Sequence, residues 1–262
     1  MIFCSDPALT QLKDEGYNVI RLPREGIHPM DVLTGTGSRL EYLGALDTVW
    51  ESAVSEPKPY APRSTGAIKG GTSRAIKASL GLSILDDLLA GFGVSSPKVK
   101  AAFKRARSLS FKYDAPKQWG IEPFQIGEYL KQGDLISNPV LDKHMRDSQL
   151  YLISELLLSK TLTVTAEAKT GGEAAVDAGL LEDAVKAKVE VKFNGEQKRT
   201  ITFAGKTEVA FGFKAFELSF QDGNWFIGKF ADPGSVSFDS DQARSDDTPP
   251  VKFDASLVNL QR

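Results

Sequence analysis

Two stretches of the chain alternate strictly between apolar and polar residues. In residues 184–193, alanines, valines and a phenylalanine alternate with lysines and a glutamate, and residues 161–168 repeat the pattern with threonines as the polar partners. Side chains on a strand point alternately to its two faces, so each stretch predicts a strand with one apolar and one polar face. We expect the two strands to pair as an antiparallel hairpin across the Gly- and Ala-rich residues 169–183.

Each stretch is close to the roughly 9–11 residues that a tilted strand needs to cross a bilayer. The apolar side chains that would then face lipid are Leu162, Val164, Ala166, Val185, Ala187, Val189, Val191 and Phe193. A charge at the bilayer midplane costs about 2–4 kcal/mol, so Val189→Lys is expected to suppress insertion while the closed fold still forms. The same alternation is typical of a half-buried sheet in a globular domain, and the pattern alone leaves both interpretations open.

Residues 66–113 repeat this plan of strand, helix and strand. Ser83 and Asp86 predict the N-terminus of a short helix over residues 84–90, and a second helical turn is expected after Pro97. Residues 108–113 then alternate again between apolar and polar side chains. The two units could each extend into a longer hairpin if the helical insert were released, or they could be ordinary crossovers of an α+β domain.

The remaining pattern predicts the fold class: α+β, with a twisted, mainly antiparallel central sheet and short helices packed around it. Helices are expected at residues 122–132 and 139–150. Further strands are expected at residues 17–22, 39–49, 200–203, 208–213, 216–220 and 225–230, with a tight hairpin turn at Asp222–Gly223.

Charge is unevenly distributed along the chain. The net charge is −2, but residues 58–113 contain eleven basic residues and two acidic ones. Such a block attracts an anionic membrane surface, nucleic acid or an acidic protein partner, unless acidic neighbours neutralise it in the fold. The residues that we expect to attract anionic lipid are Lys69, Arg74, Lys77, Lys104, Arg105 and Arg107.

The amino-acid composition of the chain changes at residue 232. Residues 232–247 contain five aspartates among Gly and Ser, which predicts a flexible acidic linker. A small apolar set follows two prolines: Val251, Phe253, Leu257, Val258 and Leu260. The organisation predicted is therefore a domain at 1–231, a linker at 232–247 and a C-terminal segment at 248–262. That segment either frays or docks on the domain as a tethered plug.

Catalytic chemistry is not indicated. The sequence contains no phosphate-binding loop, no zinc-protease motif and no paired cysteines, so we expect no metal and no enzymatic activity. No secretory signal or membrane-spanning helix is expected, which favours a cytosolic globular protein. The single cysteine, Cys4, is a small buried hydrophobe or an acylation site, whereas a thiol hydrolase would have only His28 and His144 as its base.

The order of these features resembles that of bacterial gasdermins. The resemblance rests on Cys4, on YNVIRLPREGIHPMDVL at 17–33, on LGALDTVW at 43–50, on the two strand–helix–strand units and on the short apolar C-terminal segment. It covers essentially the whole chain, although its motifs are hydrophobic patterns and not a chemical signature. It implies an autoinhibited, non-enzymatic, pore-forming effector of cell death in antiphage defence.

The resemblance also implies a cycle of activation. A caspase-like or trypsin-like protease would remove the C-terminal peptide, and Arg244 and Ser245 in the linker suit a trypsin-like cut. The protein, a cytoplasmic monomer until then, would assemble at the inner membrane into a homo-oligomeric transmembrane β-barrel. A palmitoyl group on Cys4 is the only cofactor expected, and no nucleic acid is expected as partner. The alternative is a non-enzymatic binding module that uses residues 58–113 to bind nucleic acid or an acidic partner.

Overall fold

The structure, a computed structural model, describes most of the chain between residues 12 and 261. The described residues are 12–36, 39–65, 76–94, 97–136, 138–139, 149–168, 176–185, 189–194, 199–221, 224–227, 251–253 and 258–261.

Short helices and strands of very different length make up this part of the chain. The helices are α1 (Ala78–Gly91), α2 (Pro97–Ala102), α3 (Pro123–Leu130) and α4 (Ala178–Val185). The strands are β1 (Asn18–Arg24), β2 (Asp31–Thr36), β3 (Arg39–Ala45), β4 (Trp50–Ser52), β5 (Arg63–Ser64), β6 (Ile76–Lys77), β7 (Ala106–Asp114), β8 (Lys117–Gly120), β9 (Gly133–Leu135), β10 (Gln149–Ala168), β11 (Val189–Asn194), β12 (Thr200–Gln221), β13 (Asn224–Ile227) and β14 (Asn259–Gln261).

Two long antiparallel strands, β10 and β12, form the spine of a twelve-stranded sheet. Their pairing runs from Leu150 opposite Leu218 to Thr165 opposite Thr200, with three register shifts on the way. A β-bulge is one origin of such a shift, and bulges bend a strand and increase its local twist.

Three zones follow one another along this spine. At the start of β10 the sheet order is β3–β2–β10–β12–β13, and in the middle it is β5–β8–β10–β12–β1. At the distal end, residues 161–168 of β10, the order is β6–β7–β10–β12–β11. β4 and β9 form a separate two-stranded sheet.

In the described part of the chain, four hydrophobic clusters pack against the sheet, one of them beneath the C-terminal segment. The largest lies at the distal end, where α1, α2 and α4 pack on one face of the strands. A second surrounds Trp50, Tyr129 and Trp225 near α3. The mixed α+β fold predicted from the sequence is therefore confirmed, and the described strands form an open sheet and not a closed barrel.

Several predicted boundaries were wrong because local patterns underestimate long strands. The three runs predicted between residues 200 and 220 are one 22-residue strand, β12, and the strand predicted at residues 17–22 extends through Pro23 to Arg24 as β1. Leu150, predicted at the end of a helix, belongs to β10. β12 and β13 pair as a hairpin, with Gln221 opposite Asn224, whereas the turn residues predicted between them, Asp222 and Gly223, lie outside the described residues.

The predicted hairpin between residues 161–168 and 184–193 does not form. β11 pairs with β12, so β12 lies between β10 and β11 at the distal end. Val185 is also not in a strand, because α4 extends through it and buries its side chain. Alternation in the sequence assigns a residue to a face, whereas neighbours in a sheet are chosen by long-range hydrogen bonding.

No helix among the described residues is long and apolar enough to cross a membrane.

Gly91 should be intolerant of a larger side chain. It ends α1, and a Cβ there would lie 2.5 Å from the carbonyl oxygen of Pro23 in β1. We expect Gly91→Ala to push α1 away from β1 and to lower the free energy of unfolding by about 1–3 kcal/mol in urea titration.

Gly179 in α4 provides the matched control. Among the described residues, a Cβ at Gly179 would meet the Asp177 carboxylate at 3.7 Å and no closer atom. Gly179→Ala should therefore stabilise the protein by up to about 1 kcal/mol through helix propensity. A shift of the same sign in both variants would contradict the close contact between α1 and β1.

Candidate functional site: the C-terminal segment and the helix-covered distal sheet

The described part of the C-terminal segment first contacts the domain at residues 251–253. The Val251 amide donates to the Ala215 carbonyl over 2.8 Å. The Asn18 side chain then donates to the Val251 carbonyl (2.8 Å) and accepts from the Phe253 amide (2.9 Å). Asn18 is 1% exposed. Its side-chain amide therefore makes, inside the protein, the two hydrogen bonds that the backbone of a neighbouring strand would otherwise make to this segment.

Phe253 anchors this contact. Its ring lies 5.0 Å from that of Tyr151 in an edge-to-face arrangement and 6.2 Å from that of Phe213. The side chain is 5% exposed. Burial of a phenylalanine contributes about 1.5–3 kcal/mol, so this residue is a main source of affinity between segment and domain.

The segment then enters the sheet as a strand. The Val258 amide donates to the Val19 carbonyl and the Arg21 amide donates to the Val258 carbonyl, each over 2.8 Å. β14 follows directly and runs parallel to β3, with Leu260 opposite Leu40. Val258 and Leu260 are 0% and 1% exposed.

The C-terminal segment therefore occupies a slot between two sheet edges, that of β1 and that of β3. Both edges would otherwise present unpaired backbone groups, which are costly if buried and promote association if exposed. Removal of the segment would uncover these edges together with the apolar residues beneath it, among them Ile20, Leu40, Tyr151 and Phe213.

A polar network lies beside this slot. The Glu155 carboxylate accepts hydrogen bonds from the hydroxyls of Tyr17 and Tyr60 and pairs with Lys214 at 3.2 Å. Burial raises the pKa of both tyrosine hydroxyls, and their hydrogen bonds to Glu155 raise it further, so both remain protonated donors. Gln118 of β8 donates to the Tyr17 hydroxyl oxygen over 2.7 Å and so joins β8 to this network.

The second component of the site is the helix-covered face of the distal sheet. Of the residues predicted to face lipid, Leu162, Val164, Ala166 and Val189 are buried there, and Val191 and Phe193 pack against the same cluster. Leu85 and Leu89 of α1, Val99 of α2 and Leu181 of α4 are among the helical residues that cover them. The predicted lipid-facing side is thus a single continuous face in the described strands.

The opposite face of the distal sheet is polar. Thr163 and Thr202 are joined by a hydrogen bond of 3.0 Å across β10 and β12, and Thr163 also donates to Asp114. Ser108 donates to Glu167 over 2.6 Å. The strands therefore combine one apolar and one hydroxyl-rich face, as the alternation predicted.

Ion pairs connect the covering helices to each other and to β1. Asp86 of α1 pairs with Lys100 of α2 at 3.1 Å, and Asp87 pairs with Arg21 of β1 at 3.0 Å. Both aspartates lie within α1, which already begins at Ala78, so the prediction that Ser83 and Asp86 mark the N-terminus of a helix is wrong. Arg21 contacts both α1 through its side chain and the C-terminal segment through its backbone amide.

The described basic residues of the predicted lipid-attracting set are all exposed: Lys77, Lys104, Arg105 and Arg107. Lys77 lies opposite Ser108, next to Arg107, and Lys104 and Arg105 lie in the connection between α2 and β7. They therefore gather at the distal end of the sheet.

Some predicted site residues lie outside the described residues, namely Cys4, Lys69, Arg74, Ala187, Arg244, Ser245 and Leu257. Asn18 was missed at the sequence level. The sequence signal for it was a polar amide between the apolar residues Tyr17 and Val19.

The fold and site define an α+β protein whose own C-terminus supplies a strand between two sheet edges. The Bacterial Gasdermin Family model matches residues 20–225. Gasdermin bGSDM of Vitiosangium sp. (strain GDMCC 1.1324) is 35% identical over 248 residues, covering 93% of this chain and 92% of that protein. Gasdermin bGSDM of Lysobacter enzymogenes is 28% identical over 268 residues, with 99% and 98% covered.

The solved structure of a bacterial gasdermin from Bradyrhizobium tropiciagri shares the fold. Its TM-score is 0.68 at 17% sequence identity, covering 98% of this chain and 97% of that one. The chain belongs to the bacterial gasdermin family, as the sequence resemblance implied. This membership implies a pore-forming, non-enzymatic effector of cell death that interacts with membranes and oligomerises.

Replacement of Asn18 should loosen the C-terminal segment selectively. Asn18→Ala removes both hydrogen bonds to Val251 and Phe253 and leaves their backbone groups unsatisfied, at a cost of about 1–3 kcal/mol. We expect the amides of residues 251–261 to exchange hydrogen roughly ten-fold faster or more, as measured by mass spectrometry.

Asn194→Ala serves as the matched control, since Asn194 is exposed on β11 and its side chain donates a hydrogen bond to Thr202 over 3.2 Å, at the opposite end of the sheet from the segment. It should leave exchange in residues 251–261 unchanged. Equal exchange in wild type and Asn18→Ala would show that Asn18 does not hold the segment.

Proposed function

We propose that this protein is an autoinhibited pore-forming effector of antiphage defence. Proteolytic removal of the C-terminal segment at 248–262 would free the domain at 1–231 to oligomerise in the inner membrane and kill the infected cell. The observation that carries the proposal is the position of residues 258–261, which occupy the slot between β1 and β3.

Covalent attachment explains why the segment stays bound before cleavage. Residues 228–250 connect β13 to Val251, so the intact segment is tethered beside its slot. A flexible tether gives an effective concentration on the order of millimolar, whereas a severed segment is diluted into the cell. The proposed linker is 232–247, and a caspase-like or trypsin-like protease cutting at Arg244–Ser245 would sever the tether.

The distal sheet supplies the membrane strands in this proposal. Its apolar face is buried under α1, α2 and α4, and release of these helices would leave that face to contact lipid. Backbone groups cannot remain unpaired in hydrocarbon, so the inserted strands of many subunits must join into a closed transmembrane β-barrel. Before cleavage the protein would be a cytoplasmic monomer.

Attraction to the membrane has two proposed sources. The exposed cations at the distal end, Lys77, Lys104, Arg105 and Arg107, each contribute about 1 kcal/mol near an anionic surface. Palmitoylation of Cys4, supported by the family resemblance, would add roughly 0.8 kcal/mol for each buried CH₂ group. No other cofactor is proposed.

Removal of the C-terminal segment should switch on membrane leakage. A specific protease site inserted after Arg244 permits a cut in purified protein, and the cut protein should release dye from vesicles of anionic lipid while the uncut protein does not. Phe253→Ala should increase leakage by the uncut protein, because it removes the aromatic contacts to Tyr151 and Phe213.

Lys252→Ala is the control for that variant, since Lys252 lies in the same segment with an exposed side chain. It should behave as wild type. Vesicles that retain their dye after complete cutting would refute the pore. Salt-sensitive gel shifts with DNA or RNA, together with intact vesicles, would instead favour the binding module.

A charge on the proposed lipid face should block insertion. Val189 is buried in the distal cluster, so Val189→Lys would also destabilise the closed form, contrary to the expectation from sequence. Val191 is half-buried on the same face and is the better test. Val191→Lys should strongly reduce dye release after the cut, because a cation near the midplane costs about 2–4 kcal/mol.

Glu190→Lys provides the comparison, because Glu190 is the exposed neighbour on the other face of β11. It should release dye at close to the wild-type rate, with circular dichroism confirming that both variants fold. Equal leakage by the two variants would contradict the assignment of faces.

A further inference from the structure

The distal sheet has a strand order that bears on how subunits meet. β6 pairs with β7, β7 with β10 and β10 with β12, and every pair is antiparallel. The chain connects β6 to β7 through α1 and α2, and connects β10 to β12 through α4 and β11. These four strands are thus the two hairpin units, already side by side in one ribbon with β6 and β12 at its edges.

β11 occupies the β12 edge of this ribbon. It pairs antiparallel with β12 over six residues, from Val189 opposite Gly205 to Asn194 opposite Thr200. Because directions alternate across the ribbon, β11 runs in the same direction as β6. It therefore takes the position and the direction that β6 of a second copy would take if antiparallel order continued from one subunit to the next.

β11 also has the side-chain pattern of a strand that could lie in line with β12. Val189, Val191 and Phe193 face the helix-covered cluster, as do Ile201 and Phe203 of β12. All five are odd-numbered, so a continuous strand from 189 to 203 would keep them on one face. Straightening the β11–β12 connection would lengthen β12 and vacate its edge in a single movement.

We propose that the edge of β12 at residues 200–205 is the surface that binds a second copy of this chain through its β6 strand, and that β11 blocks this edge until activation. The inference rests on the proposed pore, since only a ring of subunits requires the edge. β11 is an intramolecular substitute for the neighbouring subunit, and subunits join only after it leaves β12.

The side chains of β11 suit this blocking role. Glu190 and Lys192 are exposed and pair with each other at 3.2 Å on the polar face of the strand. Charged residues on a short edge strand discourage pairing with other chains. Among the described strands, the distal sheet therefore ends in β11. This strand pairs with the backbone groups of β12, and its own charged side chains disfavour pairing with another chain.

A reversible disulfide between β11 and β12 tests the proposal. Glu190 and Ala204 are directly opposite in the register, so Glu190→Cys with Ala204→Cys places two thiols within the separation that a disulfide spans. In full-length protein with the specific protease site, the oxidised double variant should bind vesicles after the cut but release dye at least ten-fold more slowly than wild type. Reductant should restore release.

Ser110→Cys with Thr165→Cys is the matched control. These residues are opposite each other in β7 and β10, a pair that the proposal keeps together in the pore. Its oxidised form should release dye like wild type, and each single-cysteine variant should do the same, which controls for reaction with Cys4.

Wild-type release by the oxidised β11–β12 variant would overturn the proposal and leave the pore intact, because β11 would then remain on β12 during assembly. Equal inhibition by both disulfides would also overturn it, since any rigid distal sheet would then block the pore. Absence of release by cut wild-type protein would refute the pore and this inference with it.

Discussion

Backbone pairing along β10 and β12 is the constraint on which the rest of the structure depends. These two strands pair across the sheet, and most other strands of that sheet are attached to one of them. Their pairing shifts register three times, and β2, β8 and β7 each pair with a different part of β10. Wherever the two strands leave a sheet edge with unpaired backbone groups or an apolar face, another part of the chain has to cover it.

The chain provides two kinds of cover. Helices α1, α2 and α4 cover the apolar face at the distal end, and short strands cover edges elsewhere. The C-terminal segment closes the slot between β1 and β3, and β11 closes the distal edge of β12. Both covering strands are short, and few backbone hydrogen bonds are lost when either one leaves.

The C-terminal segment and helix α1 both contact β1. The Arg21 backbone amide binds Val258 of the C-terminal segment, while its side chain pairs with Asp87 of α1. Gly91 at the end of the same helix packs closely on Pro23. β1 is thus in contact with both the C-terminal segment and a helix of the distal face, which places them in one packed unit although they are far apart in the sequence.

The sequence by itself determined the two faces of the distal strands, the α+β class and the apolar positions of the C-terminal segment, because each is set by local periodicity or composition. Only the tertiary structure decided that β11 lies beside β12, that Val185 is helical and that Asn18 binds the C-terminal segment. Alternation reports which way a side chain points but not which strand is its neighbour. That choice is made by hydrogen bonds between residues distant in the chain, and no local pattern records it.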